Sequence, residues 1–302
     1  MKCSYLAHGK VILIGEHSVV YGYNALSIPI MALHIKVTVE PSSELLMNTT
    51  HYQGPFFMAP SSYNGLKYVL KTMQAKAAST EQIKITYTGE IPPERGLGSS
   101  ATVALATTKV LDEYFNLNLS DADIMAITNH AEMINHGKAS GLDAATVKSS
   151  YPIFFNSQEG PQEIKSRLHA SLLIMDTGEL GNTKQAVNQV HELIQRSRQA
   201  KNNLKRLGKL ADETKDVWLN HDKITLGQIF NQAQLLLHSF NLSTAKIDQL
   251  QDLALSNNAL GCKLSGSGLG GIVIVLCSDH QTAEKIAQKA NKLVENSWIE
   301  EI

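Results

Sequence analysis

The chain has 302 residues, enough at roughly 100 to 200 residues per domain for about two domains with a sizeable core. Hydrophobic residues make up 43% and charged residues 18%, the balance of a folded globular protein, and 27 basic against 28 acidic side chains leave a formal net charge of -1. That charge leaves no surplus for wrapping a nucleic-acid backbone, and the three cysteines, Cys3, Cys262 and Cys277, show no paired spacing. The opening MKCSYLAHGKVILIGEH lacks the apolar core of a secretory signal, and apolar runs such as 272–277 fall far short of the ~20 residues a bilayer requires. A cytoplasmic protein, with neither nucleic-acid nor membrane partners, is expected.

In chain order, β-branched residues between turn signals predict strands over 11–14 and 28–39. A stretch broken by Gly and Pro around 53–60 precedes a helical pattern over 63–78 and a strand over 83–88. A loop over 89–98 feeds a helix predicted over 99–114, with a serine at its start to take up free backbone N–H groups. The next helix is predicted over 121–136, where Ser120 and Asp123 form a capping-box-like pair and Ile124, Ile127, Ala131 and Ile134 make one apolar stripe. Glu132 falls about 100° away from that stripe. Polar turn residues at 157–161 and a strand over 172–176 put the domain boundary near 168, dividing the chain into 1–168 and 169–302. The second half reads as helix-rich, with helices over 183–207, 226–240, 245–257 and 281–297 and a strand over 272–276.

Two glycine-rich loops stand out, Gly96-Leu97-Gly98-Ser99-Ser100-Ala101 and Gly266-Ser267-Gly268-Leu269-Gly270-Gly271. Neither sits in the strand, loop, helix order of a dinucleotide-binding unit: Pro92-Pro93-Glu94-Arg95 precedes the first, and the second leads into a strand. No GxxxxGK[ST] sequence occurs. The first loop does open a helix, so its amides and the helix dipole suit a triphosphate, with two hydroxyls at the rim; taken alone it equally reads as a tight turn packing a helix on a sheet. Glu132 and Asp143 bracket His136-Gly137-Lys138-Ala139-Ser140-Gly141-Leu142, an arrangement suited to Mg2+ ligation beside a hydroxyl-activating base, or else an exposed helical Glu and a turn Asp. Lys10, Glu16 and His17 mark the two ends of the short apolar strand at 11–14, where α/β enzymes keep site residues and where an ordinary strand edge also looks the same.

Together these segments resemble the GHMP kinase superfamily, and within it the mevalonate kinase family: GKVILIGEHSVVYG at 9–22, PPERGLGSSATVAL at 92–105, AEMINHGKASGLDAAT at 131–146, DTGELGNTKQAV at 176–187 and KLSGSGLGG at 263–271 occur in the family's order. The resemblance implies an α+β fold of two domains, an N-terminal one like the second domain of ribosomal protein S5 and a C-terminal ferredoxin-like one, with the active site in a cleft between them. It implies an ATP-dependent kinase that phosphorylates the 5-hydroxyl of mevalonate with Mg2+ as cofactor, in a chain that pairs as a homodimer. By motif position, Gly96, Leu97, Gly98, Ser99, Ser100, Ala101, Gly266 and Gly268 would contact ATP, and Ser100 and Glu132 would hold the metal. Asp143 would act on the attacking hydroxyl with Lys10 beside it, while Glu16, His17, Lys138 and Thr183 would face mevalonate.

The sequence departs from the family pattern in three places. Ala139 stands where the family has a proline, Leu269 where it has a glycine, and Glu94-Arg95 where it has small residues, so that Arg95 is expected to add a phosphate contact. The acceptor carries one carboxylate, for which His17 and Lys138 are the candidate cationic or donor-rich end. A phosphorylated acceptor would demand more positive charge, and no arginine cluster lies near these motifs. Another small-molecule kinase of the same superfamily, such as a phosphomevalonate kinase, galactokinase or homoserine kinase, and a catalytically silent ligand sensor of the same fold are the alternatives.

Overall fold

A computed structural model of the chain describes residues 2–89, 91–93, 95–136, 141–156 and 158–302. Two long strands, β1 (Cys3–Ile14) and β2 (Ala25–Pro41), open the fold and pair with each other, followed by β3 (Leu46–Asn48), β4 (Gln53–Pro55), helix α1 (Asn64–Lys76) and β5 (Ile83–Gly89). Next come α2 (Ser99–Phe115), α3 (Asp121–His136) and α4 (Leu142–Lys148), then β6 (Ile153–Asn156), β7 (Gly160–Glu163) and β8 (Ser171–Asp176). The remainder is α5 (Thr183–Arg196), α6 (Arg198–Leu219), α7 (Lys223–Ser239), α8 (Ala245–Leu255), β9 (Gly261–Ser265), β10 (Ile272–Cys277), α9 (His280–Ala290) and β11 (Asn296–Glu301). The chain forms two compact units built from separated segments: Met1–Gly9, Leu33–Ile91 and Gly98–Ser150 in the first, and Lys10–Ala32, Pro92–Leu97 and Tyr151–Ile302 in the second.

In the first unit the later part of β2 pairs antiparallel with β5, β3 runs parallel to β5, and β4 lies antiparallel on β3. Helices α1, α2 and α3 pack on one another, and α4 packs on α2 and α3. Ala101, Leu105, Ile124 and Val147 form one buried cluster closed by Leu119. The stripe expected on α3 is buried at Ile124, Ile127 and Ala131, but Ile134 is exposed. Because α1 and α2 both pack on α3, a second flank is also covered, and Thr128 and Glu132 are buried there.

In the second unit the first part of β2 pairs with β6, which turns back as β7. The hairpin occupies a stretch that reads in sequence as a polar break. A separate antiparallel sheet has the order β11-β8-β10-β9. β8 and β10 are buried at every position, which explains the apolar run over 172–175 in the first and throughout the second. The helix predicted over 183–207 is two helices: Ser197 adopts an extended backbone, ends α5, and caps α6 by accepting the amide of Ala200 on its hydroxyl. The helix predicted over 281–297 stops at Ala290, and the polar segment after it becomes β11, an edge strand paired to β8. At the other edge, the amides of Cys262 and Leu264 in β9 are satisfied by Asn231 Oδ1 and Gln234 Oε1 of α7, at 3.0 and 2.9 Å. Helix side chains thus close an edge that would otherwise present free donors.

Candidate active site

The glycine loop reaches α2 through Gly96 and Gly98, both in the left-handed region at φ +84° and +73°. Gly98 is the N-cap of α2, and no side chain caps it; the serine expected to do so, Ser99, is already the first helical residue. The carbonyl of Gly98 instead accepts from both the amide and the hydroxyl of Thr102, each at 2.9 Å. The first-turn amides of α2 therefore keep their donor capacity, and the helix dipole adds to their attraction for an anion.

In the first turn of α2, Ser100 Oγ donates to Glu132 Oε1 at 2.5 Å, and Asn135 Nδ2 donates to the same Ser100 oxygen at 3.2 Å. Asn135 Oδ1 in turn accepts the amide of Gly65 at 3.0 Å. Gly65 has to be glycine, because a Cβ there would sit 2.8 Å from the Ala131 carbonyl, and that closeness lets α1 reach Asn135. Glu132 is only 7% exposed, so its carboxylate is held in place before any ligand binds. A hydroxyl and a carboxylate in contact form a hard oxygen donor set that fits Mg2+, which takes one or two protein oxygens and completes its shell with water and phosphate. Among the described residues no group of three or more His, Cys, Asp or Glu side chains is placed to hold a metal unaided, so an ion here would depend on the phosphates of a bound nucleotide. Asp143 stands in the first turn of α4, after Gly141 at φ +84°, and is half-buried. Lys138 lies outside the described residues.

In the second unit Lys10 lies inside β1, which begins at Cys3 rather than at residue 11, and is 3% exposed. Its amide donates to the Leu97 carbonyl at 3.0 Å, fixing the strand against the stem of the first glycine loop. After β1, Gly15 turns the chain at φ +113°, where any Cβ would collide with Ala25. His17 follows in the left-handed region at φ +58°, and its Nε2 donates to the Ser267 carbonyl at 2.9 Å. Burial pushes the His17 imidazole below its ordinary value, and with Nε2 donating to Ser267 the neutral ring keeps Nδ1 as an acceptor.

Glu16 is buried, and its Oε1 accepts from the ammonium of Lys263, a wholly buried residue of β9. Its other oxygen, Oε2, is buried and has no hydrogen-bond partner among the described residues. Burial pushes the Glu16 carboxyl up and the Lys263 ammonium down, and the contact between them opposes both shifts. The second glycine loop joins β9 to β10 as a hairpin, with Gly266 and Gly268 at φ +92° and +77°. Leu269 takes φ +60°, a conformation suited to the glycine it replaces and costing a leucine about 1–2 kcal/mol. Thr183, at the start of α5, donates from Oγ1 to Ser267 Oγ at 3.3 Å. The two glycine loops touch in this unit, since a Cβ on Gly96 would lie 3.5 Å from Gly266 Cα. Arg95 is paired with two carboxylates: Nε lies 3.3 Å from Asp176 Oδ2 and Nη2 3.1 Å from Glu295 Oε2, while Nη1 is buried without a hydrogen-bond partner among the described residues.

Sequence reasoning missed Asn135 and Lys263. Nothing marks Asn135 except its spacing of three from Glu132 on one helix. Lys263 carried a signal, a lysine inside a run that reads as buried strand, where an ammonium needs a partner.

Two family models match the chain, the GHMP kinases N terminal domain over residues 64–150 and the GHMP kinases C terminal over 191–296. A mevalonate kinase of Aeropyrum pernix is 31% identical, an alignment covering 98% of this chain and 95% of that one. The chain belongs to the GHMP kinases. Among solved GHMP kinases, the mevalonate kinase of methicillin-resistant Staphylococcus aureus is 30% identical with a TM-score of 0.79, covering 99% of this chain and 98% of that one. The L. major mevalonate kinase in complex with R-mevalonate shares the fold at a TM-score of 0.84 and 24% identity, covering 98% and 94% of the two chains. As a GHMP kinase the chain has the two-domain fold of mixed helix and sheet that its motifs implied.

Proposed function

We propose that the chain is an ATP-dependent mevalonate kinase, transferring the γ-phosphoryl group of ATP to the 5-hydroxyl of mevalonate with Mg2+ as cofactor. The observation that carries this reading is the Ser100–Glu132 pair at the uncapped N-terminus of α2, in a chain alike over nearly its full length to mevalonate kinases. The pair would hold the metal, which when bound offsets charge on the transferring phosphoryl group. Amides of 98–101 would bind the triphosphate, with Gly96, Leu97, Gly266 and Gly268 shaping the nucleotide's surroundings. Asp143 would accept the proton of the attacking hydroxyl, and the Lys10 ammonium would stabilise the alkoxide as it develops. Glu16, His17 and Thr183 would meet the acceptor through hydroxyl-directed hydrogen bonds, leaving its carboxylate to Lys138. We take 1–168 and 169–302 as the domains that divide these tasks, in a cytoplasmic homodimer; among the described residues no helix is long and apolar enough to cross a membrane.

The test is ADP release from the purified protein with mevalonate, phosphomevalonate, galactose and homoserine as acceptors. Turnover highest with mevalonate is expected. A preference for phosphomevalonate or a sugar would refute the acceptor, and nucleotide binding without turnover on any acceptor would favour a ligand sensor.

A further inference from the structure

Lys263 has no exposed atoms worth the name, being 0% accessible in the middle of β9, and its ammonium can donate three hydrogen bonds. One goes to Glu16 Oε1 and one to the Leu264 carbonyl at 2.6 Å, while the Phe230 ring lies with its centroid 5.8 Å from Nζ. Stability alone gives little reason for this choice. A buried ion pair is often no more stabilising than apolar side chains of the same volume, because desolvation offsets the attraction. What such a pair does provide is direction: it fixes one carboxylate oxygen at one place.

The strand that carries Lys263 is itself held on both edges. Its partner β10 pairs Lys263 with Ile274, and α7 satisfies the amides on either side of it through Asn231 and Gln234. The ammonium is thus presented from a fixed frame to a residue that follows the strained turn at Gly15. Glu16 keeps its second oxygen, Oε2, buried and without a hydrogen-bond partner among the described residues, and the next residue, His17, is pinned through Nε2 to the loop that leaves β9. A carboxylate with one oxygen consumed and the other buried without a partner among the described residues has one accepting position left for a donor.

We propose that Lys263 is a positioning residue for the phosphoryl acceptor, holding Glu16 so that its Oε2 and the adjoining His17 are set to receive the substrate. The proposal rests on the assignment of Glu16 and His17 to the acceptor. Lys263 touches no substrate itself and acts through Glu16.

The experiment compares Lys263→Met, which keeps the volume and removes the charge, with the parent protein. The KM for mevalonate should rise roughly tenfold while the KM for ATP stays within about twofold, since the nucleotide does not depend on Glu16. The acid limb of kcat/KM should move to higher pH, because Glu16 loses its neighbouring cation and ionises less readily; Lys10, His17 and Cys262 are the other titratable groups acting on this pair, and all remain. Should Lys263→Met fail to fold, Lys263→Gln carries the same readouts, and Glu16→Gln tests the pair from the other side. Combining Glu16→Gln with a Lys263 change should add nothing to the mevalonate KM beyond Glu16→Gln alone. A folded variant with the parent's mevalonate KM and an unmoved acid limb would overturn the proposal, as would equal rises in both KM values or additive effects in the double variant. Assaying the parent first keeps the two readings apart: no turnover of mevalonate defeats the proposed function, and the same comparison is then made on whichever acceptor the parent does use.

Discussion

The imidazole of His17 and the carbonyl of Ser267 are joined by a hydrogen bond of 2.9 Å. A carbonyl only accepts, so the proton sits on Nε2 and the neutral ring has one tautomer. Burial lowers the folded-state value of this imidazole below the ~6.5 of an unfolded chain, so on acidification the unfolded chain takes up the proton first. The contribution is fully present above about pH 6.5 and is lost as pH falls below it. Thermal unfolding followed between neutral and mildly acidic pH should show this loss, and His17→Asn, which tolerates the same left-handed backbone, should flatten the profile. Parallel profiles for the two proteins would mean that His17 is not the group responsible.

Asp143→Ala should lower turnover by orders of magnitude while nucleotide binding is largely kept, because Asp143 is assigned to the acceptor hydroxyl. Lys10→Met should act in the same direction, and the double variant should lose less than the sum of the two if both serve one proton transfer. Single-turnover kinetics with saturating ATP measures this, and near-parent turnover in Asp143→Ala would remove that residue from the mechanism.

The contact between Ser100 and Glu132 predicts the response to metal. Glu132→Gln keeps the shape and removes the charge, so more Mg2+ should be needed for half-maximal rate, with Ser100→Ala shifting the same curve more mildly. Asn135→Ala should produce a smaller shift still, since Asn135 acts only by orienting the Ser100 oxygen. Coincident Mg2+ titrations for parent and variants would place the metal elsewhere.

Arg95 predicts a stability effect ahead of a nucleotide effect. Asp176 is 1% exposed and burial already pushes its carboxyl up, so Arg95→Met should leave a buried acid without its cation and cost about 3 kcal/mol. Denaturant unfolding is the measurement. A rise in the KM for ATP is expected as well, because the pairs with Asp176 and Glu295 anchor the backbone that leads directly into Gly96; an unfolding midpoint equal to the parent's would show that the ion pair carries no net stability.

Most of the elements were legible where local pattern and burial agree. The helix over 121–136 lies where its capping pair and apolar stripe put it, and Ser120 and Asp123 do bond to each other, at 2.6 and 3.1 Å. The buried strands β8 and β10 are visible as apolar runs. What failed to show were elements whose identity comes from a neighbour. β11 is polar and becomes a strand by pairing with β8, and the break at Ser197 hides inside a continuous helical period because a serine caps as readily as it continues. The site divides in the same way. Glycine loops and acidic residues announce themselves by type and order, whereas the partners that orient them, Asn135 for Ser100 and Lys263 for Glu16, lie 35 and 247 residues away along the chain.

The hairpin between β9 and β10 limits how this protein can vary. Ser265 faces Ile272 and Lys263 faces Ile274, and successive side chains in a strand point to opposite sides. A one-residue slip of β9 would turn Lys263 away and bring Cys262 or Leu264 opposite the buried carboxylate of Glu16. Within 266–271 Leu269 shows that one strained residue is accepted, whereas a Cβ on Gly268 or Gly270 would lie within 2.8 Å of a backbone carbonyl, so those two positions are confined to glycine. Insertions and deletions within the loop would shift the register itself, so divergence among relatives should gather at position 269 and spare the loop's length.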